Sequence, residues 1–218
     1  MNTRANGIGM TSQRTRARLI ERLREQGIKD EAVLAAMFEV PRHLVVDEAL
    51  ASRAYDDVSL PINYSQTISQ PYIVARMIEV LRAGSPLGRV LEIGTGCGYQ
   101  AAVLAQLARE VYTVERIKPL YERARKQLND LKLRNVSVRY ADGNAGLPES
   151  TPFDGIIMAA AAPALSAVLR EQLAVGGRMV LPLGTQEQWL YLVERDARGF
   201  RETQLEPVKF VPLLMGKA

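Results

Sequence analysis

One cysteine, one histidine and one tryptophan are all that 218 residues hold of these three types. Cys97 alone cannot close an internal disulfide, which points to a reducing cytoplasm. No apolar run reaches the roughly 20 residues needed to cross a bilayer. The first residues, "MNTRANGIGMTSQRTRARL", lack the apolar stretch of a secretory signal. No membrane association and no bound metal are expected. With 47% hydrophobic and 24% charged residues the chain can bury a core and does not read as disordered. Neither an internal repeat nor a low-complexity linker interrupts it.

Acids and bases are also scarce where chemistry would be sought. The stretch "SQTISQPYIVARM", 65–77, has no His, Cys, Asp, Glu or Lys. Neither does "MAAAAPAL", 158–165, which also lacks Asn. His43 sits in "VPRHLVVDEA", distant in sequence from any glycine loop, and reads as a structural or surface residue.

Positive charge is in modest excess, +4 with a pI near 9.3. Much of it comes early, in Arg4, Arg14, Arg16, Arg18, Arg22 and Arg24. A basic arm could touch nucleic acid. Glu21 and Glu25 interleave these arginines, however, and no aromatic residue stands among them to stack on bases. The stretch reads as a solvated helix face, and no nucleic-acid partner is expected.

Residues 1–10 show no apolar period and read as a frayed terminus. Leu19, Ile20 and Leu23 then recur at helical spacing up to a capping Gly27, and "KDEAVLAAMFEV" makes a second helix opened by Asp30. "YDDVSLPI" reads as irregular. "PYIVARMIEVLRA" puts Ile73, Met77, Ile78 and Leu81 on one stripe, with Pro71 in the first turn. From Arg89 onward strands and helices alternate. "RVLEIG", "VYTVE", "VSVRYAD", "FDGIIMAAA" and "RMVLPLG" are strands. "YQAAVLAQLA", "IKPLYERARKQLNDL" and "ALSAVLREQL" are helices. Such alternation implies βαβ units on a parallel sheet. "WLYLVER" and "ETQLEPVKFVPLL" follow without a helix and can pair as an antiparallel edge. The pattern predicts one α/β domain over 11–218, with N-terminal helices and a loop in 11–84 and a cofactor-binding core in 85–218.

"VLEIGTGCGYQAA" runs strand, glycine loop, helix, the context a nucleotide fingerprint requires. A dinucleotide site would place its third glycine at position 99, which is Tyr99; the spacing here is G-x-G-x-G after Glu92. A pyrophosphate wants bare N–H groups, whereas an acid at the loop suits the ammonium of S-adenosylmethionine. Glu115 ends the second strand, placed to accept from ribose hydroxyls, and Asp142 ends the third, placed to accept from an adenine amino group. Each acid could instead cap the following helix; the three together with the glycines favour a cofactor crevice. Cys97, inside the loop, reads as a small space-filling residue rather than a reactive thiol.

A methyl donor needs an acceptor, and a site poor in bases suits a carboxylate, which is already ionised at neutral pH. Holding it requires only hydroxyls, backbone N–H groups and exclusion of water. Thr67 and Ser69 supply such hydroxyls, although a simple Ser/Thr cap before Pro71 would also explain them.

At this point the chain resembles the bacterial protein-L-isoaspartate O-methyltransferases, class I methyltransferases dependent on S-adenosylmethionine. The likeness runs through "VPRHLVVDEA", "LPINYSQTISQPYIVARM", "VLEIGTGCGYQAA", "VYTVERI", "FDGIIMAAAAP", "LAVGGRMVLPLG" and "KFVPLL". It implies a doubly wound, mostly parallel sheet with an antiparallel C-terminal edge. It implies Ser69 as the active-site residue and Gln66, Thr67 and Ile68 along the cofactor. Glu92, Gly94 and Gly96 would meet the methionine portion, Glu115 the ribose, and Asp142 with Gly143 the adenine end, with Thr95 and Arg116 also among the cofactor-binding positions. The implied substrate is the free α-carboxyl of L-isoaspartyl residues in damaged proteins and peptides; the lack of an obvious apolar surface helix points to a monomer. An extended peptide would add main-chain bonds near "FVPLL". The sequence departs from the family at "NYS", 63–65, where glycines are usual, and at "ADGN", 141–144. Val74 stands where eukaryotic members carry a histidine. A nucleic-acid methyltransferase, a nicotinamide dehydrogenase and a non-catalytic cofactor-binding module are the rival readings.

Overall fold

The structure, a computed structural model, describes residues 7–218. Of the stretch expected to fray, residues 1–6 lie outside the described residues, and Gly9–Thr11 forms a 3₁₀ turn. Helix α1 (Gln13–Glu25) is capped by the Ser12 hydroxyl, which accepts from Thr15 N. Helix α2 (Glu31–Glu39) is capped by Asp30, whose carboxylate accepts from Ala32 N and Val33 N. The solvated arginine face holds for Arg14, Arg18, Arg22 and Arg24, while Arg4 lies outside the described residues. Arg16 is a correction: it is buried, donates to Phe38 O, and sits over the Tyr55 ring. Its aliphatic stem faces the same way as Leu19, Ile20 and Leu23, so the helix turns it inward.

A two-stranded antiparallel hairpin pairs β1 (Leu60–Pro61), inside the segment read as irregular, with β2 (Thr67–Ile68) in the loop that follows it. Strands of two residues carry too little alternation to be seen in sequence. Helix α3 (Pro71–Arg82) follows directly and buries Val74, Ala75, Met77, Ile78 and Leu81. Its N-terminus does not use a Ser or Thr cap. Asp57 reaches over instead, Oδ1 accepting from Tyr72 N at 2.8 Å and Oδ2 from the Gln70 amide at 3.0 Å.

The main sheet has β3 (Leu87–Ile93), β4 (Ala108–Glu115), β5 (Val136–Tyr140), β6 (Phe153–Met158), β7 (Leu173–Gly184), β8 (Gln188–Asp196) and β9 (Gly199–Val208). Their order is β5-β4-β3-β6-β7-β8-β9, parallel as far as β7 and antiparallel beyond. Helices α4 (Tyr99–Ala105), α5 (Lys118–Asp130) and α6 (Ala167–Glu171) make the crossovers. Val90 packs into the core shared with the N-terminal helices, and Leu91 and Ile93 face the core on the other side, as the two-residue strand period demands. Among the described residues no helix is long and apolar enough to cross a membrane.

Two elements differ from expectation. The helix expected from Ala164 starts only after its Ser166 cap, and it stops because Leu173 is drawn into the sheet opposite Phe153. The last strand ends at Val208 rather than running through "FVPLL". Residues beyond it cross back to Ala161, whose N–H donates to Val211 O and whose carbonyl accepts from Leu213 N. Those backbone groups are therefore already paired and do not offer an edge to a peptide.

Asp57→Ala removes the cap of α3 and the anchor of the Gln70 side chain. Denaturant unfolding should show a loss of about 1 kcal/mol.

Candidate active site

The carboxyl ends of β3, β4 and β6 open on one cavity. Its centre is the turn after β3, where Gly94, Gly96 and Gly98 have φ of 94°, 54° and 81°. At Gly96 an added Cβ would also be crowded, lying 3.1 Å from Ile62 Cδ1, which would have to give way. The glycine loop and the β1–β2 hairpin thus approach closely here, and the positive φ of Gly96 favours glycine at this point. Gly94 N and Thr95 N both donate to Val114 O, tying the loop to β4.

Glu92 was expected at the edge of this loop; it lies on the cavity floor, fully buried. Thr113, its register partner on β4, donates to Glu92 Oε2 at 2.5 Å and is itself bonded to Thr95. Glu92 Oε1 has no partner. Burial pushes the carboxyl up to about 8, against the opposing pull of Thr113 and Gln100. A buried acid that lines the cavity and has one unpartnered oxygen lacks a cationic partner, and the ammonium of S-adenosylmethionine has that chemistry.

Glu115 ends β4 with both oxygens engaged, Oε2 accepting from Gly96 N and Oε1 from Ile117 N, each at 2.9 Å. Each oxygen keeps a second lone pair for a ligand hydroxyl. Asp142 is different. It does not line the cavity; Oδ1 accepts from Asn144 N and Nδ2, and Oδ2 accepts from Gly216 N at 2.7 Å. Burial works against its ionisation, yet these donors hold it below the ordinary carboxylate range. The helix-capping alternative is therefore correct for its present bonds, and Gly143 alone of the pair reaches the cavity. Arg116 lines the cavity and donates to the carbonyls of Gly216 and Met215. With Lys118 N donating to Ala218 O, these bonds dock residues 215–218 across the ends of β4 and β5.

The other predicted positions, Gln66, Thr67, Ile68, Ser69, Gly94, Thr95 and Gly96, all line the cavity. Thr67 and Ser69 also line an adjoining groove with Ser59, Ile73, Lys209 and Phe210. Among the described residues nothing bonds the hydroxyl of either. The turn that presents them, 63–65, places Asn63, Tyr64 and Ser65 all at positive φ, where glycine would be less strained. Asn63 O accepts from Gln66 N, and the Asn63 amide donates to Asp47, which keeps the turn in place.

Several lining residues escaped the sequence reading: Ile62, Tyr99, Gln100, Ile117, Ala159, Ala160 and Val211–Leu214. Only Ala159 and Ala160 carried a signal, the run of small residues after β6. Cys97 is buried and burial raises its thiol pKa, so it fills space as expected. His43 is buried too, its Nδ1 2.8 Å from the Tyr55 hydroxyl, a structural position. Among the described residues no cluster of metal-ligating side chains occurs.

The chain was compared with known proteins. The family model described as protein-L-isoaspartate(D-aspartate) O-methyltransferase matches residues 14–218. A protein-L-isoaspartate O-methyltransferase of Methylobacillus flagellatus is 64% identical over 215 residues, 97% of this chain and 96% of that one. One of Aromatoleum aromaticum is 60% identical over 216 residues, 99% of each. Among solved structures, a protein-L-isoaspartate O-methyltransferase superposes with a TM-score of 0.84 at 26% identity, covering 92% of this chain and 67% of that one. A Plasmodium falciparum protein named for the same activity, solved with S-adenosyl-L-homocysteine, gives 0.76 at 27% identity, covering 90% and 96%. By sequence over nearly its full length and by fold, the chain belongs to the protein-L-isoaspartate(D-aspartate) O-methyltransferase family.

Proposed function

We propose that the chain methylates the free α-carboxyl group of L-isoaspartyl residues in damaged polypeptides, with S-adenosylmethionine as donor. The observation that carries this reading is the meeting of cavity and groove at Thr67 and Ser69. Two unbonded hydroxyls stand there, in a groove that among the described residues has no carboxylate, histidine or cysteine to act as a base. A hydroxyl or amine acceptor would have to lose its proton to such a base; a carboxylate would not.

Glu92 would hold the cofactor's ammonium, Glu115 its ribose hydroxyls, and Ile117, Gly143 and Leu214 the face of its adenine. When bound, S-adenosylmethionine supplies an electrophilic methyl group. Ser69 Oγ donates a hydrogen bond to one carboxylate oxygen and leaves the other free to react. Ile68, Val74 and Ala159 form an apolar wall that keeps water from competing for the methyl group. Lys209, the one cation lining the groove among the described residues, draws an anionic acceptor toward it.

The ester formed is a better leaving group than a carboxylate. The neighbouring backbone nitrogen closes a succinimide, and part of that ring reopens to ordinary aspartate. The substrate is thus a flexible segment of another chain. A monomeric, cytoplasmic enzyme completes the reading, supported by a single buried thiol and scattered exposed apolar residues.

Two peptides differing only in an aspartyl or isoaspartyl linkage test this with radiolabelled donor. Base-labile label is expected on the isoaspartyl peptide alone; label on both would refute the repair specificity. Ser69→Ala should lower kcat roughly tenfold to a hundredfold, the worth of one hydrogen bond to a charged group.

Glu92 adds a pH signature. Its carboxyl titrates near 8 when folded, against an ordinary 4.5. The folded protein therefore binds the extra proton between these values, and stability falls as pH rises from 4.5 through 8. Glu92→Gln should melt at a higher temperature than the parent above pH 8 and at the same temperature below pH 4.5, yet bind S-adenosylhomocysteine roughly tenfold more weakly. Thermal scans and calorimetry read both.

A further inference from the structure

Arg42 is among the largest fully buried side chains of the described residues, and among them it forms no salt bridge. One of its nitrogens, Nη2, donates to the backbone carbonyl of Ser69 at 2.8 Å. The guanidinium lies over the ring of Tyr99, 4.6 Å from its centroid, while Nε and Nη1 have no hydrogen-bond partner. Tyr99 opens α4 and lines the cofactor cavity, so one cation touches both the acceptor loop and the cofactor wall.

A buried charge without a counter-charge is costly, and a protein keeps one only where something compensates it. A ring face and one neutral carbonyl compensate weakly. The groups facing Arg42 are Tyr99 and Cys97 on the glycine-loop side and Tyr55 and Asp57 from the segment before β1. Burial raises the pKa values of Tyr99, Cys97 and Tyr55, which leaves them uncharged. Asp57 is committed to Tyr72 N and the amides of Gln26 and Gln70. The missing negative charge has an obvious source in the ligand that Ser69 meets.

We propose that Arg42 is a positioning residue for the acceptor. It fixes the Ser69 carbonyl, and its uncompensated charge makes the groove bind the anionic carboxylate in preference to the neutral ester product. This rests on reading the groove at Ser69 as the acceptor site. In the transfer, a carboxylate oxygen forms the new C–O bond as the methyl C–S bond breaks. The sulfur keeps that electron pair, and carboxylate and sulfonium both become neutral. Arg42 stays charged, so the attraction that held the substrate is absent from the product, and release is favoured by the reaction itself.

The test compares Arg42→Met, which keeps length but not charge, with Arg42→Lys, which keeps charge. For the methionine variant, KM for the isoaspartyl peptide should rise roughly tenfold. The acid limb of the kcat profile, which reports ionisation in the complex, should move to higher pH. Lysine should restore most of both. Equal losses of kcat in the two variants with the acid limb unmoved would overturn the proposal and leave Arg42 a packing residue. A second measurement needs no variant: calorimetry of the parent enzyme, loaded with S-adenosylhomocysteine, against the isoaspartyl peptide and its α-amide. The anion should bind at least roughly tenfold tighter, and the preference should persist from about 0.1 to 0.5 M salt, because a buried charge is poorly screened. Equal affinities, or a preference that salt abolishes, as exposed Lys209 would give, overturn it. No methyl transfer to the isoaspartyl peptide at all would overturn the acceptor reading and this one together. Transfer with equal affinities overturns this one alone.

Discussion

The site depends on parallel register. Ile93 stands level with Val114 on one side and Met158 on the other, so three strands end at one height and their loops share one edge. The same register sets Glu92 opposite Thr113, which is why one hydroxyl can hold the buried carboxyl while a second, on Thr95, braces the first. A one-residue slip of β4 would turn Thr113 and Glu115 to the wrong faces of the sheet and strip Gly96 N of its acceptor. The cofactor cavity is thus a consequence of backbone pairing before it is a collection of side chains.

The hairpin and the start of α3, which between them carry Thr67 and Ser69, are fastened to that edge from the other side. Ile62 of the hairpin packs on Gly96, and Asp57 ties the start of α3 to the segment ahead of the hairpin. Three consecutive non-glycine residues in left-handed conformation make the turn between β1 and β2 expensive, of order 1–2 kcal/mol each. Such strain persists only where surrounding contacts over-determine it. The bonds from Gln66 and Asp47 do so here. A strained, well-braced turn presents Thr67 and Ser69 more rigidly than glycines could, which suits a reaction that depends on orientation.

How much of this could be read from the residues follows from the range of each interaction. Alternating strands and helices after Arg89, the capped helices α1 and α2, and the antiparallel edge are local patterns, and the structure repeats them. That Glu92, Gly94, Gly96 and Glu115 would share one cavity was legible because glycine spacing and strand-end acids recur close together. Three features were not. The β1–β2 hairpin has no period to detect. The crossing of residues 209–214 to Ala161 is a long-range pairing that nothing in "KFVPLL" signals. Arg42 and Arg16 look like surface cations in sequence, and only tertiary packing shows them buried. Asp142 marks an intermediate case, since its place after β5 was right, and its present bonds run to Asn144 and Gly216 rather than into the cavity.

Asp142 is followed by Gly143, a pair in which no side chain shields the nitrogen that attacks a neighbouring carboxyl. The chain therefore carries, beside its own cofactor cavity, the kind of linkage that gives rise to isoaspartate. Both Asp142 oxygens are committed to hydrogen bonds and its ψ is 119°, which keeps the carboxyl carbon turned away from Gly143 N. Asp154, before Gly155, is held likewise by Arg89 N at 2.6 Å. The bonds that fix Asp142 beside the cavity thus also oppose the rearrangement of its own linkage to Gly143.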